Sequence, residues 1–332
     1  MPTTTVLMAV HNAAPFLEDA VASVFNQTFV DFEFLVVDDG STDNTGAMLA
    51  QLTDPRLRVI SLVNNVGLVA ALNVGIEEAR GDLIARMDGD DVCEPRRLEL
   101  QVEFMQAHPE VVLLGTGFVW IDAGGHVFER VRFPTEDSDL QPQLLNGNQF
   151  CHPSVMLRTD IVRRVGGYRS LAGGPAQDYD LWLRMAEQGK IANLAQMLVR
   201  YRMHENQTSI SKLVKQRRAA HLYLTLARQR RSGAGEDIVA ARQASEGHQP
   251  EVINALRADY QRWALRFAAI GQKRLAASML LNAFRLDRTH PAAWLGLWHI
   301  IVAEWESSWL GTRLGWYAKR LTRRRVRPSR HG

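Results

Sequence analysis

The first 120 residues alternate short, almost wholly apolar runs with longer segments whose apolar positions return every three or four residues. The runs at 5–10, 32–38, 57–63, 82–87 and 111–121 read as strands. Between the first two, Phe16, Leu17, Ala20, Val21, Val24 and Phe25 make one helical face, and Pro15 suits its first turn. "STDNTGAMLAQL" offers Ser41, Thr42 or Asp43 as the N-cap of a second helix. "GLVAALNVGIEEA" and "EPRRLELQVEFMQAH" supply a third and a fourth, the last with Pro95 at its start. Strand and helix in alternation predict an α/β fold, a mostly parallel sheet covered by helices on both faces. Ligands of such sheets bind beyond the carboxyl ends of the strands. His11 and Asn12, Asp38 and Asp39, and Asp88 to Asp91 all fall at such ends.

After residue 122 the pattern loosens through "DAGG" and "LNGNQ" and recovers in "PSVMLRTDIVRRVGGY" and "DYDLWLRMAEQG". Beyond 211 the chain reads as helical, broken at 230–237 and 246–250. "GQKRLAASMLLNAFRLDRTHPAAWLGL" has the form of a single tetratricopeptide-like hairpin, so the end of the chain reads as an all-helical appendage. The expected division is 1–211, with parts 1–122 and 123–211, followed by 212–332.

Composition narrows the class. A 46% hydrophobic content over 332 residues suits a globular core, and no apolar run reaches bilayer length. Met1 to Thr5 lack the basic start of a signal peptide. Cys93 and Cys151, the only cysteines, form neither a disulfide framework nor a zinc site, and a reducing cytoplasm is the simplest setting. The net charge of +3 hides a split: from Lys212 onward there are 23 Lys and Arg against 8 Asp and Glu, leaving 16 against 28 before it. Such a split, with Trp294, Trp298, Trp305, Trp309 and Trp316 ahead of an arginine cluster, points to packing of the tail helices or to peripheral contact with an anionic membrane. No nucleic-acid-binding motif accompanies the charge.

The chemistry is carried by carboxylates. "AVHNAAPF" stands where a dinucleotide fold needs G-x-G-x-x-G, and no phosphate-loop sequence occurs. Asp88 and Asp90, one residue apart on extended backbone, project to the same side. Without Cys or His beside them they suit a hard cation, Mg²⁺ or Mn²⁺, open to phosphate oxygens. An acidic turn capping the helix after Pro95 is the plainer alternative.

"VLMAVHNAAPFLEDAVASVFNQTFVDFEFLVVDDGSTDNT", "NNVGLVAALNVGI" and "ARGDLIARMDGDDVCEPRRLELQ" together resemble the amino-terminal signature of the inverting glycosyltransferase family 2. "CHPSVMLRTDIVRRVGGY", "AQDYDLWLRMAEQG" and "VRYRMHENQTS" are similar to its acceptor-side motifs, and the likeness runs over about residues 4–211. It implies a GT-A fold and transfer of a sugar from a nucleoside diphosphate, often UDP. It assigns Asp39 to the uracil and His11 to packing on the base, a strand-end histidine hydrogen-bonded to backbone being the alternative for His11. Asp38 is assigned to the nucleotide or, alternatively, to capping its own turn. Asn73 and Gly75 fall in the helix bordering the nucleotide, where Leu72 replaces a common basic residue. Asp88 corresponds to the ribose contact and Asp90 to the metal ligand, with Asp91 behind them. Asp178 corresponds to the catalytic base, although Gln177 stands where a glutamate is usual. Asp180 is expected to fix the helix start, Trp182 to be core, and His204 to reach the metal or remain structural. Gly166-Gly167 and Gly173-Gly174-Pro175 are expected either as hinges of a loop closing over the donor or as turns without catalytic meaning. The acceptor implied is a saccharide or a lipid-linked sugar in surface polysaccharide or glycolipid synthesis. A sugar-phosphate nucleotidyltransferase and a non-catalytic nucleotide-sugar-binding scaffold are the rivals.

Overall fold

The computed structural model describes residues 2–171, 175–204, 212–246 and 250–286. In chain order the first half comprises β1 (Thr4–Val10), α1 (Leu17–Phe25), β2 (Phe32–Asp38), α2 (Thr45–Ala50), β3 (Leu57–Ser61), α3 (Leu68–Glu78), β4 (Leu83–Met87), β5 (Val92–Cys93) and α4 (Arg97–Ala107). It continues with β6 (Val111–Ile121), β7 (Val127–Val131), α5 (Asp137–Leu144), β8 (Met156–Arg158), α6 (Thr159–Arg164), α7 (Gln177–Met185) and β9 (Lys190–Arg202). Among the described residues four helices follow: α8 (Leu213–Arg231), α9 (Ile238–Glu246), α10 (Pro250–Ala269) and α11 (Lys273–Leu286).

All residues of β1, β2 and β4 are buried, because helices cover both faces of the sheet. Side-chain alternation sends Val6, Met8 and Val10 to Leu17, Val21 and Val24 of α1, and Leu7 and Ala9 to Ala71, Leu72 and Ile76 of α3. Burial of Leu72 explains why no basic group stands there. Gly75 lets α3 lie close on β1, since a Cβ at that position would stand 2.1 Å from Leu7 Cδ1.

Strands β3, β2, β1 and β4 are parallel neighbours, in the register Val10 opposite Asp38 and Met8 opposite Met87. The polar residues after β1, β2 and β4 therefore share one edge. From β4 outward the sheet is mixed: β8 runs antiparallel to β4 and to β6, while β9 runs parallel to β6 and antiparallel to β5. β7 folds back on β6.

Two compact units, Met1–Gly247 and His248–Gly332, divide the chain. The division expected at 211/212 thus lies within the first unit. Leu222, Tyr223, Leu226 and Ala227 of α8 share a core with Tyr179, Leu181 and Leu183 of α7. An ion network adds to this: Asp180 binds Arg169 and Arg184, Arg169 binds Glu236, and Arg230 binds Glu236 and Glu187. In the second unit α10 and α11 pack together, burying Trp263, Phe267, Ala276, Met279 and Leu280. The second helix of the expected hairpin and the tryptophan-rich tail lie outside the described residues.

Candidate active site

The turn after β4 brings Asp88, Asp90 and Asp91 together, one ligating oxygen of each lying within 4.8 Å of the others. Gly89 permits the turn to seat against the end of β1, for a Cβ there would meet Val10 Cγ1 at 2.7 Å. Burial raises the Asp91 carboxyl well above the usual range, and the charges of Asp90 and Asp88 raise it further. Asp88 is also raised, by burial first and by Asp90, although the Arg86 guanidinium paired with it acts in the opposite sense. Asp91 Oδ1 accepts the Arg202 N–H at 2.8 Å, whereas its buried Oδ2 has no hydrogen-bond partner.

Asp90 and Asp91 are tied to the end of β9 and to His204 just beyond it. His204 Nε2 donates to Asp90 Oδ2 at 2.9 Å. The Arg202 guanidinium donates to the Asp90 carbonyl at 2.8 Å, bonds Asp19, and lies over the Phe16 ring, which itself sits 5.2 Å from the His204 ring. Three carboxylates, one of them with an orphaned buried oxygen, make a donor set that fits a divalent cation. Ligation by carboxylate oxygens suits Mg²⁺ or Mn²⁺.

Toward β2, Asp39 accepts the N–H groups of Val66 (2.7 Å) and Gly67 (2.9 Å), so its carboxylate holds the loop that enters α3. His11 Nδ1 donates to the Asp39 carbonyl at 2.8 Å, which fixes the ring at the mouth of the crevice. Asp38 Oδ1 accepts the Ser41 N–H at 3.1 Å, the capping role expected for it as an alternative. Asn12, at φ 54°, accepts Thr42 and Asp43 N–H through Oδ1 and joins the same wall. Asn73 is engaged elsewhere: its Oδ1 accepts the Tyr168 N–H (2.8 Å) and its Nδ2 donates to the Tyr168 carbonyl (2.9 Å). Rather than offering its amide to a nucleotide, it braces α3 against the turn that carries Tyr168.

That turn is the C-terminal cap of α6. Gly166 and Gly167, both at positive φ, donate to the Arg163 and Val162 carbonyls, an arrangement that fixes them instead of making a hinge. Gly173 and Gly174 lie outside the described residues. Asp178 stands in the first turn of α7, and Asn148 Nδ2 donates to its Oδ2 at 3.0 Å. Burial raises the Asp178 carboxyl, while the amides of the helix start, Arg86 and Asn148 act against burial. Arg86, itself 1% exposed, thus pairs with Asp88 and lies within electrostatic reach of Asp178. His152, kept neutral by burial and by Arg86, accepts the Tyr168 hydroxyl at 2.8 Å beneath Trp182. Trp182 is core, and Asp180 is fully buried between two arginines as an ionic anchor of α7.

Sequence reasoning passed over Arg86, Arg202, Phe16, Asn148, His152 and Tyr168. Arg86 left a signal, a lone cation within the apolar run Leu83–Met87, since a buried charge requires a partner. Asn148 left none.

Residues 5–166 match the family described as Glycosyl transferase family 2. The O-antigen biosynthesis glycosyltransferase WbnJ of Escherichia coli is 31% identical over 214 residues, covering 63% of this chain and 83% of that protein. The chain belongs to glycosyl transferase family 2. Its fold is correspondingly that of GT-A glycosyltransferases. Staphylococcus aureus TarS (residues 1–349, with UDP-GlcNAc) superposes with a TM-score of 0.57 at 17% identity, covering 87% of this chain and 93% of that one. The mannosyltransferase PcManGT of Pyrobaculum calidifontis, with GDP-Man and Mn²⁺, does so at 0.54 and 19%, covering 93% and 87%. As a member of family 2 this chain is a glycosyltransferase, with relatives in polysaccharide biosynthesis.

Proposed function

We propose that this glycosyltransferase moves a sugar from a nucleoside diphosphate, UDP in the first instance, to a hydroxyl of a saccharide or lipid-linked acceptor with inversion. The observation that carries the reading is Arg86, whose buried guanidinium bonds Asp88 of the acidic cluster and reaches Asp178 electrostatically, which supports one site shared by the donor-side and acceptor-side carboxylates. Asp39 and His11 shape the nucleotide end, and Asp88 faces the ribose. Asp90 and His204 are the residues to hold Mg²⁺ or Mn²⁺. When bound, such an ion supplies positive charge against the diphosphate. Asp178 takes the proton of the acceptor hydroxyl as that oxygen forms its bond to C1; the C1–O bond to the diphosphate breaks on the opposite side. Complexes of TarS with UDP-GlcNAc and of PcManGT with GDP-Man and Mn²⁺ support this choice of donor class and ion.

A panel of UDP-glucose, UDP-galactose, UDP-N-acetylglucosamine and GDP-mannose, each with Mn²⁺, Mg²⁺ or EDTA, tests the reading. Thermal stabilisation and slow donor hydrolysis by one nucleotide-sugar, both abolished by EDTA, are expected. Stabilisation without hydrolysis or transfer to any acceptor would favour the non-catalytic scaffold. A nucleotidyltransferase is disfavoured by "VHNAAP", which is neither glycine-rich nor arginine-bearing.

Among the described residues no helix is long and apolar enough to cross a membrane. The cationic excess after Lys212 and the tail tryptophans support peripheral contact with the anionic cytoplasmic face. Truncation after residue 286 should then reduce sedimentation with vesicles containing phosphatidylglycerol; unchanged sedimentation would remove the tail from that role.

A further inference from the structure

We propose that Asn148 is a positioning residue for the catalytic base: it holds one oxygen of Asp178 so that the other faces the acceptor hydroxyl. The inference rests on Asp178 being the base. Its evidence is geometric. Asn148 Nδ2 donates to Asp178 Oδ2 at 3.0 Å, across a gap of 30 residues. Asn148 Oδ1 accepts the Phe150 N–H at 3.1 Å, and this second bond decides which end of the amide meets the carboxylate. An amide turned the other way would lose both bonds and set oxygen against oxygen.

The loop bearing Asn148 is itself held. Phe150 is buried with its ring 6.2 Å from that of Trp182, one turn beyond Asp178 on α7. Asn193 of β9 donates to the Gln149 carbonyl at 3.3 Å, and Gln149 donates to the carbonyls of Gln143 and Gly147. Asn148 therefore reaches Asp178 from a braced segment, which is how a catalytic group is kept in one orientation before substrate arrives.

The Asn148 bond at Oδ2 favours the ionised carboxyl and restrains its rotation about χ2. The hydroxyl to be deprotonated is thereby assigned to Oδ1. Other groups facing Asp178 are Arg86 from β4, Tyr168 from the turn after α6, and the amides of its own helix start. Of these Arg86 and the amides favour the ionised form, while Tyr168 stays neutral, its hydroxyl pushed up by burial and spent on His152. Asn148 is the one uncharged side chain beyond α7 that hydrogen-bonds the carboxylate among the described residues.

The test uses the full chain, Mn²⁺ and whichever UDP-sugar of the panel it hydrolyses. Asn148→Ala should lower kcat about tenfold, the equivalent of one lost hydrogen bond to a charged group, with the donor KM unchanged. The acid limb of the kcat–pH profile should move to higher pH, because a bond favouring the ionised carboxyl is gone. Asn148→Asp should move that limb further, by placing a second negative charge against Asp178. A loss of kcat with an unmoved acid limb in both variants would make Asn148 a loop-bracing residue only and overturn the inference; so would an unchanged kcat. Asp178→Asn separates this result from the parent reading. If Asp178→Asn retains turnover, the base assignment itself fails; if it abolishes turnover while Asn148 variants keep the native profile, only the role of Asn148 fails.

Discussion

His204 Nε2 stands 2.9 Å from Asp90 Oδ2, although 114 positions of sequence separate the two residues. β9 makes this contact by running along β6 and ending beside the turn after β4. The hydrogen bond brings an imidazole nitrogen to the edge of the acidic cluster, where the proposed cation would be held.

Asp90→Asn should abolish Mn²⁺-dependent stabilisation by the donor, and His204→Ala should weaken it by at least about tenfold, since each removes one proposed ligand. Isothermal titration of UDP in the presence and absence of Mn²⁺ reads both. An undiminished Mn²⁺ effect in His204→Ala would return the histidine to a structural role.

Asp178→Asn should keep donor and Mn²⁺ affinity and lose turnover by about 10²–10⁴-fold, the usual contribution of a positioned general base. Loss of donor binding to the same degree as turnover would remove Asp178 from the base role, because binding and proton transfer would then share one cause.

Arg86→Met retains bulk but leaves Asp88 without its cation, next to Asp90 and Asp91. Breaking a buried pair in this way costs roughly 3–5 kcal/mol, and the quarter exposure of Asp88 puts the expected loss toward the lower figure. Mn²⁺ replaces part of the missing charge, so it should raise the denaturation midpoint of the variant more than that of the unsubstituted protein. Equal Mn²⁺ increments in the two proteins would show that Arg86 takes no part in balancing the cluster.

Asp91 gives a pH signature. Its folded carboxyl is raised well above the usual value by burial and by its acidic neighbours, so its ionisation weakens the metal-free fold. That penalty is absent below the unfolded value of about 3.9 and complete above the folded one. Asp91→Asn keeps an acceptor for the Arg202 amide and removes the charge. In EDTA the variant should therefore be the more stable at neutral pH, with an advantage that shrinks as pH falls and vanishes near about pH 4. Urea denaturation across this range measures it; an advantage independent of pH would exclude the electrostatic cause.

The parallel strands and the three helices among them stood in the sequence because both faces of the sheet are covered along β1, β2 and β4. Burial on two sides demands continuous apolar runs, and an apolar helical stripe must match them. β9 was harder to see: its Asn193, Arg200 and Arg202 interrupt the apolar run, being satisfied by partners elsewhere in the chain. α8 likewise carries no mark of the unit it joins, since Leu222 and Tyr223 would look the same facing any core.

Sequence by itself determined the α/β class, the family, and the carboxylates at the strand ends, because these depend on local periodicity and on residues near one another along the chain. Only the tertiary structure decided that Asn73 braces Tyr168, that Arg86 pairs with Asp88 within electrostatic reach of Asp178, and that Asn148 meets Asp178. Each of those contacts joins segments distant in sequence, and its chemistry arises from burial and charge that do not exist until the chain has closed around them.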